Sequence, residues 1–580
     1  MMLRSLVCAA AVVTMAAGTV RAVPAIVDRV PEGAMVVITV PSAENLEKDL
    51  QGVATLLGLP SAAINIDSLL AQAGITGGLT KKGAVAAFVM PPKMDNEGNP
   101  QGEPVTGVVA QTSDYAAFAK NLGATPGAAG GVDSGKVQDQ DVFLKNLGDG
   151  FVAMAADKAV VEGLGKPGAI AKLKPLIGKA GDKLADKADL SIIVNMEIAR
   201  PLVKSGVMAG IGEMADQAPL PAEQLEAIEG MAKWFTDLTA DDTTGVVMGL
   251  TIDNLGVSLD MTGNFKPDSR LGKAAAGPGK ATSMLGKLPA IPYLAAFSLD
   301  YSSAGLRALL ESMPKPPAGT EAPAAMDFRE AMKTSQGQAM VVGVSPAGIM
   351  GGLLTRSVAF TAATDPAASI AATRQAMQKL ADADMAVTEF KDGSVEVGGQ
   401  KVSEYKVQMK PDPDNPMVAQ ATTMMFGLSG GPTGYLATTD GGVVTTYAKA
   451  SDLMEAALKS SKGQGGFMQD KVVAQVAEQL PAGRAAEVFI GVRGIMDTVT
   501  PLLAMVAGGN VKMDLPETIP PIAAAISPAD GGMTATIYLP APTLKTIADV
   551  SRAIQSAGLG DGGGPAGGGQ APAGGKKPGF

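Results

Sequence analysis

The residue types that carry most enzymatic chemistry are missing from this chain. It has no histidine, and its single cysteine is Cys8. Histidine is the usual general base near neutral pH and the commonest metal ligand. Without it, Ser-His-Asp and Cys-His catalysis are excluded. Structural and catalytic zinc sites lose their usual ligands. A chain that sheds Cys8 also has no thiol chemistry. What remains is carboxylate chemistry, Ser-Lys or Thr chemistry, hard-cation binding through oxygen, and plain binding.

Several short motifs invite a chemical reading, and each gives way to a simpler one. Gly427-Leu428-Ser429-Gly430-Gly431 has the G-x-S-x-G spacing of a nucleophile elbow. The elbow needs a histidine to take the serine proton, so a loop is expected there. Ser403-Glu404-Tyr405-Lys406 matches S-x-x-K, but its surroundings alternate like a strand, which sends positions i and i+3 to opposite faces. Gly210-Ile211-Gly212-Glu213-Met214-Ala215 resembles a dinucleotide fingerprint. It follows a helical stretch from Pro201, where a dinucleotide site needs a strand. Asp412-Pro413-Asp414-Asn415 lacks the glycine of a calcium loop and reads as a turn. Asp241-Asp242 reads as a solvated loop. Trp234 and Phe235 sit on a helical pattern and are expected in the core. The 28 methionines beyond the first 22 residues are expected to fill a core poor in aromatics. No catalytic, cofactor-binding or metal-binding residue is assigned, and no cofactor is expected.

Residues 1–22 read as a cleavable export signal. Arg4 provides the positive start, Leu6 to Ala17 the apolar run, and Val20 and Ala22 the small residues before cleavage at Val23. The run is too short to span a bilayer. Cleavage would remove Arg4, Arg21 and Cys8 and move the net charge from −10 to −12. An acidic chain is a poor partner for nucleic acid. No later apolar run is long enough to cross a membrane. A periplasmic or extracellular location is expected.

Units of strand, capping residue and helix recur in the same order in two stretches. VVITV, Ser42 and a helix answer YLAAFSLD, Ser302-Ser303 and a helix. GVVAQ with Thr112-Ser113-Asp114 answers SVAFTAA with Thr364-Asp365 and Pro366, a capping residue lying between strand and helix in each. GFVAMAADKAVVEGLGK answers GVVTTYAKASDLMEAALK, and LSIIVNMEIARPLVKSG answers EVFIGVRGIMDTVTPLLA. GVVMGLTIDNLGVSLDMTGN, a hairpin around Asp253-Asn254, answers MTATIYLP. Asp392-Gly393 and Gly398-Gly399 are further turn signals. The spacing predicts two homologous halves, 23–280 and 281–556, joined through a Gly- and Ala-rich linker near 272–283. Residues 557–580, with 11 Gly and 3 Pro, are expected to be a disordered tail. Frequent hairpins predict an α+β fold, each half a mostly antiparallel sheet with helices packed on one face.

The pattern in VPEGAMVVITVPS from Val30 and KLPAIPYLAAFSLDYSS from Lys287 resembles large exported bacterial proteins of unknown function with duplicated strand–helix halves. That resemblance implies no activity and no catalytic residues. The expected role is a non-enzymatic binding or scaffold protein of the cell envelope, with an envelope protein or an apolar ligand as partner. A carrier of an apolar or lipid-like ligand and a carboxylate-based hydrolase are the alternatives.

Overall fold

Runs rich in Val, Ile and Ala, bounded by Gly, Asp and Ser, become strands, and capped amphipathic runs between them become helices. The computed structural model describes residues 25–556 apart from 61–64, 73–74, 76, 96–99, 129–130, 138–139, 166–167, 218–221, 315–331, 383–384, 411–415 and 507–514. The expected signal and tail lie outside the described residues. The first stretch gives β1 (Val36–Val40), β2 (Val85–Val89), the short pair β3 (Lys93–Met94) and β4 (Pro100–Gln101), β5 (Thr106–Gln111), β6 (Asp133–Val137), β7 (Gln140–Gly148), β8 (Phe151–Ala155), β9 (Leu190–Asn195), β10 (Thr243–Ile252) and β11 (Gly256–Phe265). The second gives β12 (Tyr293–Asp300), β13 (Gly337–Gly343), β14 (Val358–Ala362), β15 (Ala386–Val397), β16 (Gln400–Met409), β17 (Thr433–Thr439), β18 (Gly442–Thr446), β19 (Ala486–Ile490), β20 (Ile522–Ala529) and β21 (Gly532–Pro540).

All these strands except β3 and β4 join one antiparallel sheet. Its order is β6-β7-β8-β5-β2-β1-β9-β10-β11-β21-β20-β19-β12-β13-β14-β18-β17-β16-β15. Among the described residues β6 and β15 each pair with one strand, so the sheet is open at both ends. The fold is α+β. The strand order reads alike in both directions from the central β11–β21 pair: β10, β9, β1, β2, β5, β8 one way and β20, β19, β12, β13, β14, β18 the other.

Side-chain oxygens start the helices where the sequence places caps. Ser42 accepts from Asn45 N, Asp114 from Ala117 N, Ser303 from Leu306 N and Asp365 from Ala368 N. Each satisfies a backbone donor left free in the first turn. Asp253 closes its hairpin by accepting from Leu255 N and Gly256 N. At Asp392-Gly393 the structure differs from the sequence reading. β15 runs through it with an irregular register between Lys391 and Val395, and the reversal falls on Gly398-Gly399, both at positive φ. One left-handed residue bulges a strand, whereas two in succession match a tight turn.

The stretch near 272–283 is not a loose linker. It carries helices Arg270–Ala274 and Ala281–Leu285, with Leu271, Ala274, Ala281 and Leu285 buried. Gly279 is needed there, since a Cβ would lie 2.2 Å from the carbonyl oxygen of Arg484.

One face of the sheet is covered along its length. Val37, Ile193 and Val247 pack on Leu173, Ile177 and Leu184 of helix Ala169–Lys187. Ala296, Val341 and Phe489 pack on Leu285, Leu453, Val473 and Val476 of helices Ala281–Leu285, Ser451–Ser461 and Lys471–Ala477. The opposite face is covered at its flanks. Leu46 of helix Ala43–Leu56 joins Val40, Val85 and Ile252. Met377 and Leu380 of helix Pro366–Asp382 join Leu436 and Val443. In the centre, helix Ala541–Ser556 follows β21 and lies against β11, β21 and helix Ala43–Leu56, with Thr543, Thr546, Ala548 and Val550 buried.

Candidate binding surface at the centre of the sheet

At the centre of the sheet, the side chains that alternate away from helices Ala169–Lys187, Ala281–Leu285, Ser451–Ser461 and Lys471–Ala477 are apolar, and several are exposed. Leu259 and Met261 of β11, Ile537 of β21, Ile526 of β20, Val488 and Ile490 of β19 and Phe297 of β12 are each 37–48% exposed. The register puts them on one face. Leu259 stands opposite Ile537, Ile537 opposite Ala524, Ala524 opposite Val488, and Val488 opposite Phe297. A second row runs from Met261 through Ala535 and Ile526 to Ala486 and Leu299. On the other side of β11 the rows continue through Met248 and Leu250 of β10 to Ile192 and Leu190 of β9. These second-side residues are half-buried, Leu190 and Leu250 packing against the cluster beneath helix Ala43–Leu56, so the exposed surface ends at β11. No polar side chain interrupts either row between β9 and β12. At ~4.8 Å per strand, the five strands from β11 to β12 make a floor about 19 Å wide.

The polar residues of the same strands face the covering helices. Asp260 accepts from the hydroxyls of Ser258 (2.8 Å) and Thr536. Thr262 and Thr534 share a hydrogen bond of 3.0 Å. Glu487, with a side chain 0% exposed, pairs with Arg484 at 2.7 Å. Burial raises the Glu487 carboxyl above its ordinary range, and the hydrogen bond and charge of Arg484 pull it back. The central strands are thus inverted: hydrogen-bonded polar groups lie under helices and aliphatic groups lie open. Exposed apolar patches of this continuity mark binding surfaces. Covering seven half-exposed side chains offers an occupant on the order of 5–10 kcal/mol before the cost of ordering it.

The floor has a wall at one end. Phe265 and Met533 pack with Trp234, Leu238, Leu271, Ala274 and Leu309. Trp234 and Leu238 belong to helix Ala222–Asp242, which returns from helix Met196–Gln217. The Trp234 indole N–H donates to Ser312 Oγ at 3.2 Å. Phe235 departs from the sequence expectation: it is 59% exposed, because its neighbour Trp234 takes the packed side of the helix.

None of the motifs weighed in the sequence joins this surface. Gly427 to Ser429 form a single turn in which the Ser429 hydroxyl donates to Phe426 O and Gly431 O. Leu428 beside it is fully exposed. Ser403 and Lys406 lie on β16, three residues apart and therefore on opposite faces. Gly210 to Ala215 lie within helix Met196–Gln217, far from its start. Residues 412–415 lie outside the described residues. Asp241-Asp242 are not a loop but the end of helix Ala222–Asp242. Asp241 is held below the usual carboxylate range by its hydrogen bond from Lys204. Asp242 is buried and accepts from Leu271 N at 3.0 Å. The methionines divide: Met284, Met340 and Met454 are buried, while Met261, Met424 and Met425 are exposed.

Among the described residues no group of three or more acidic side chains is placed to hold a metal ion. Among them no helix is long and apolar enough to cross a membrane. No family model matches the chain, and no curated protein matches it. A solved structure described as "Structure of crystal form I of TP0453" is 11% identical, with a match covering 41% of this chain and 77% of that one at a TM-score of 0.20. A likeness of that size carries no argument, and the resemblance to large exported bacterial proteins stays a likeness of sequence alone.

Proposed function

We propose that this is an exported, non-enzymatic binding protein that carries an apolar, lipid-like ligand on the open centre of its sheet. The observation that supports this reading is the inversion of the central strands. Aliphatic side chains of five adjacent strands stand in the open, while Asp260, Thr536 and Glu487 are turned under helices. A fold that only needed stability would place these groups the other way round. Among the described residues, the side chains of the two rows carry no hydrogen-bond donor or acceptor, so recognition rests on apolar contact. The acids of the central strands face the helices, which leaves no carboxylate pair on the floor for hydrolysis.

Native mass spectrometry of the purified full chain tests the reading. The expected result is a bound lipid mass, or uptake of palmitate added in detergent-free buffer. A bare protein mass that stays bare after palmitate addition overturns it. A role as an envelope scaffold is the second reading, favoured by the exposed Met424 and Met425 at the end of helix Pro416–Phe426 and Leu428 in the turn after it.

A further inference from the structure

We infer that the edge strand β15 is a self-pairing surface: two copies of this chain join β15 to β15 antiparallel, about a two-fold axis at Phe390, and continue one sheet through both molecules. The two ends of the sheet are treated differently by the chain. At the β6 end the chain closes its own edge. Thr125 N donates to Ser134 O, Ser134 N to Thr125 O, and Lys136 N to Leu122 O. At the β15 end, alternate residues of β16 divide the bonding. Val407 N and Met409 N donate away from β15, to Pro432 O and Gly430 O, whereas Lys410 N donates to Met385 O. The β15 residues that bond β16 are therefore Met385, Val387, Glu389 and Lys391, and the backbone groups of Ala386, Thr388 and Phe390 point outward. Among the described residues no segment bonds those outward groups. A row of open N–H and C=O groups is a template for another strand.

Charge selects the occupant and the register. Val387, Glu389 and Lys391 share one face of β15 and are exposed. Glu389 and Lys391 carry opposite charges 3.7 Å apart. On the other face Phe390 packs with the cluster beneath helix Pro366–Asp382, and the Arg374 guanidinium lies 4.4 Å from its ring centroid. A two-fold at residue 389 or 391 sets like charges directly opposite, which is repulsive. A two-fold at residue 388 sets Glu389 against Val387 and leaves both charges without a cross-strand partner. A two-fold at Phe390 sets Glu389 against Lys391 of the second copy, twice, at the closer, non-hydrogen-bonded positions. That axis runs perpendicular to the sheet, so each helix Pro366–Asp382 stays on the same face. The irregular register between Lys391 and Val395 ends the ladder on either side of the axis. A lysine on an edge strand commonly guards against pairing. With Glu389 beside it, the guard rejects strands of other charge pattern and accepts its own copy.

Sedimentation velocity of the full chain tests the inference, over a dilution series up to about 100 µM, above the micromolar range expected of a small interface. The expected result is a monomer–dimer equilibrium. Glu389→Lys alone and Lys391→Glu alone each set like charges across the axis, and each should weaken dimerisation about tenfold. An equimolar mixture of these two variants restores opposite charges at both contacts and should dimerise as the wild type does. The chain carrying both substitutions should do the same. Both side chains are more than half exposed, so circular dichroism melts of the variants should match the wild type. A wild type that stays monomeric at the highest concentration overturns the inference. A dimer indifferent to both single variants overturns it as well, and so does a mixture that stays monomeric.

Discussion

Thr39 and Ser191 stand opposite each other on β1 and β9, and Ser298 and Glu487 stand opposite each other at the matching points of β12 and β19. Both pairs are buried beneath the covering helices. In the first, two hydroxyls satisfy one another at 2.6 Å. In the second, a carboxylate occupies the place of a hydroxyl, and Arg484 is drawn in to balance it. That guanidinium also donates to the carbonyls of Ala477, Leu480 and Pro481 and to the Thr282 hydroxyl. It ties the end of helix Lys471–Ala477 and helix Ala281–Leu285 to β19. The same position in the sheet is thus a local, neutral contact in one stretch and a charged clasp in the other. A buried ion pair is close to neutral as a whole, but severe when one partner is lost.

The largest effect should come from breaking the clasp on one side. Arg484→Met leaves Glu487 buried without its counter-charge and removes the guanidinium's hydrogen bonds to the carbonyls of Ala477, Leu480 and Pro481. We expect a loss of about 3–5 kcal/mol in chemical denaturation at neutral pH. The sign of its pH dependence follows from burial. Glu487 is already raised, and losing Arg484 raises it further. A raised carboxyl favours the folded state below its unfolded value and costs stability as pH climbs through the shifted range. The variant's deficit should therefore shrink at about pH 4, near the unfolded value. Adding Glu487→Ser converts the pair to the chemistry of Thr39 and Ser191, and should recover most of the loss. A double variant no more stable than Arg484→Met would show that the carbonyl contacts, not the charge, dominate. An intermediate effect is expected in the first stretch: Thr39→Val strands the Ser191 hydroxyl at about 1–3 kcal/mol, and Thr39→Val with Ser191→Ala should be nearer neutral.

This contrast also marks where sequence reasoning stops. The cap at Ser42, and the short stretches Thr112-Ser113-Asp114, Ser302-Ser303 and Thr364-Asp365 that hold the other three, were legible because capping is local: an oxygen must lie within three residues of the amide it serves. The strand setting of Ser403 and the helix around Gly210 were legible from period. The direction of the central strands was not. Leu259-Asp260-Met261 alternates in the way of an ordinary half-buried strand, which places Leu and Met inside and Asp in water. The structure does the reverse, because the partners of Asp260 come from Thr536, 276 residues away in the chain. Glu487 reads as a surface acid for the same reason. Arg484 is close in sequence, but the carbonyls that hold it require the fold. Asp241-Asp242 looked solvated until Leu271 N was brought to Asp242. A floor made of residues from five strands has no spacing to read.

The smallest effect isolates what the charged clasp leaves undone. The Ser298 hydroxyl and one oxygen of Glu487 are buried with no hydrogen-bond partner among the described residues. A lone buried hydroxyl forgoes its bonds to water and gains nothing in return. Replacing Ser191 by Ala alone would strand Thr39, whereas Ser298→Ala strands no hydroxyl. We therefore expect Ser298→Ala to change stability by less than about 0.5 kcal/mol or to raise it slightly. A loss above about 1 kcal/mol in the denaturation midpoint would mean that Ser298 is bonded in solution, to Glu487 directly or through a buried water. The two pairs would then share one design, a satisfied cross-strand contact, and the clasp of Arg484 would be an addition to it and not a substitute.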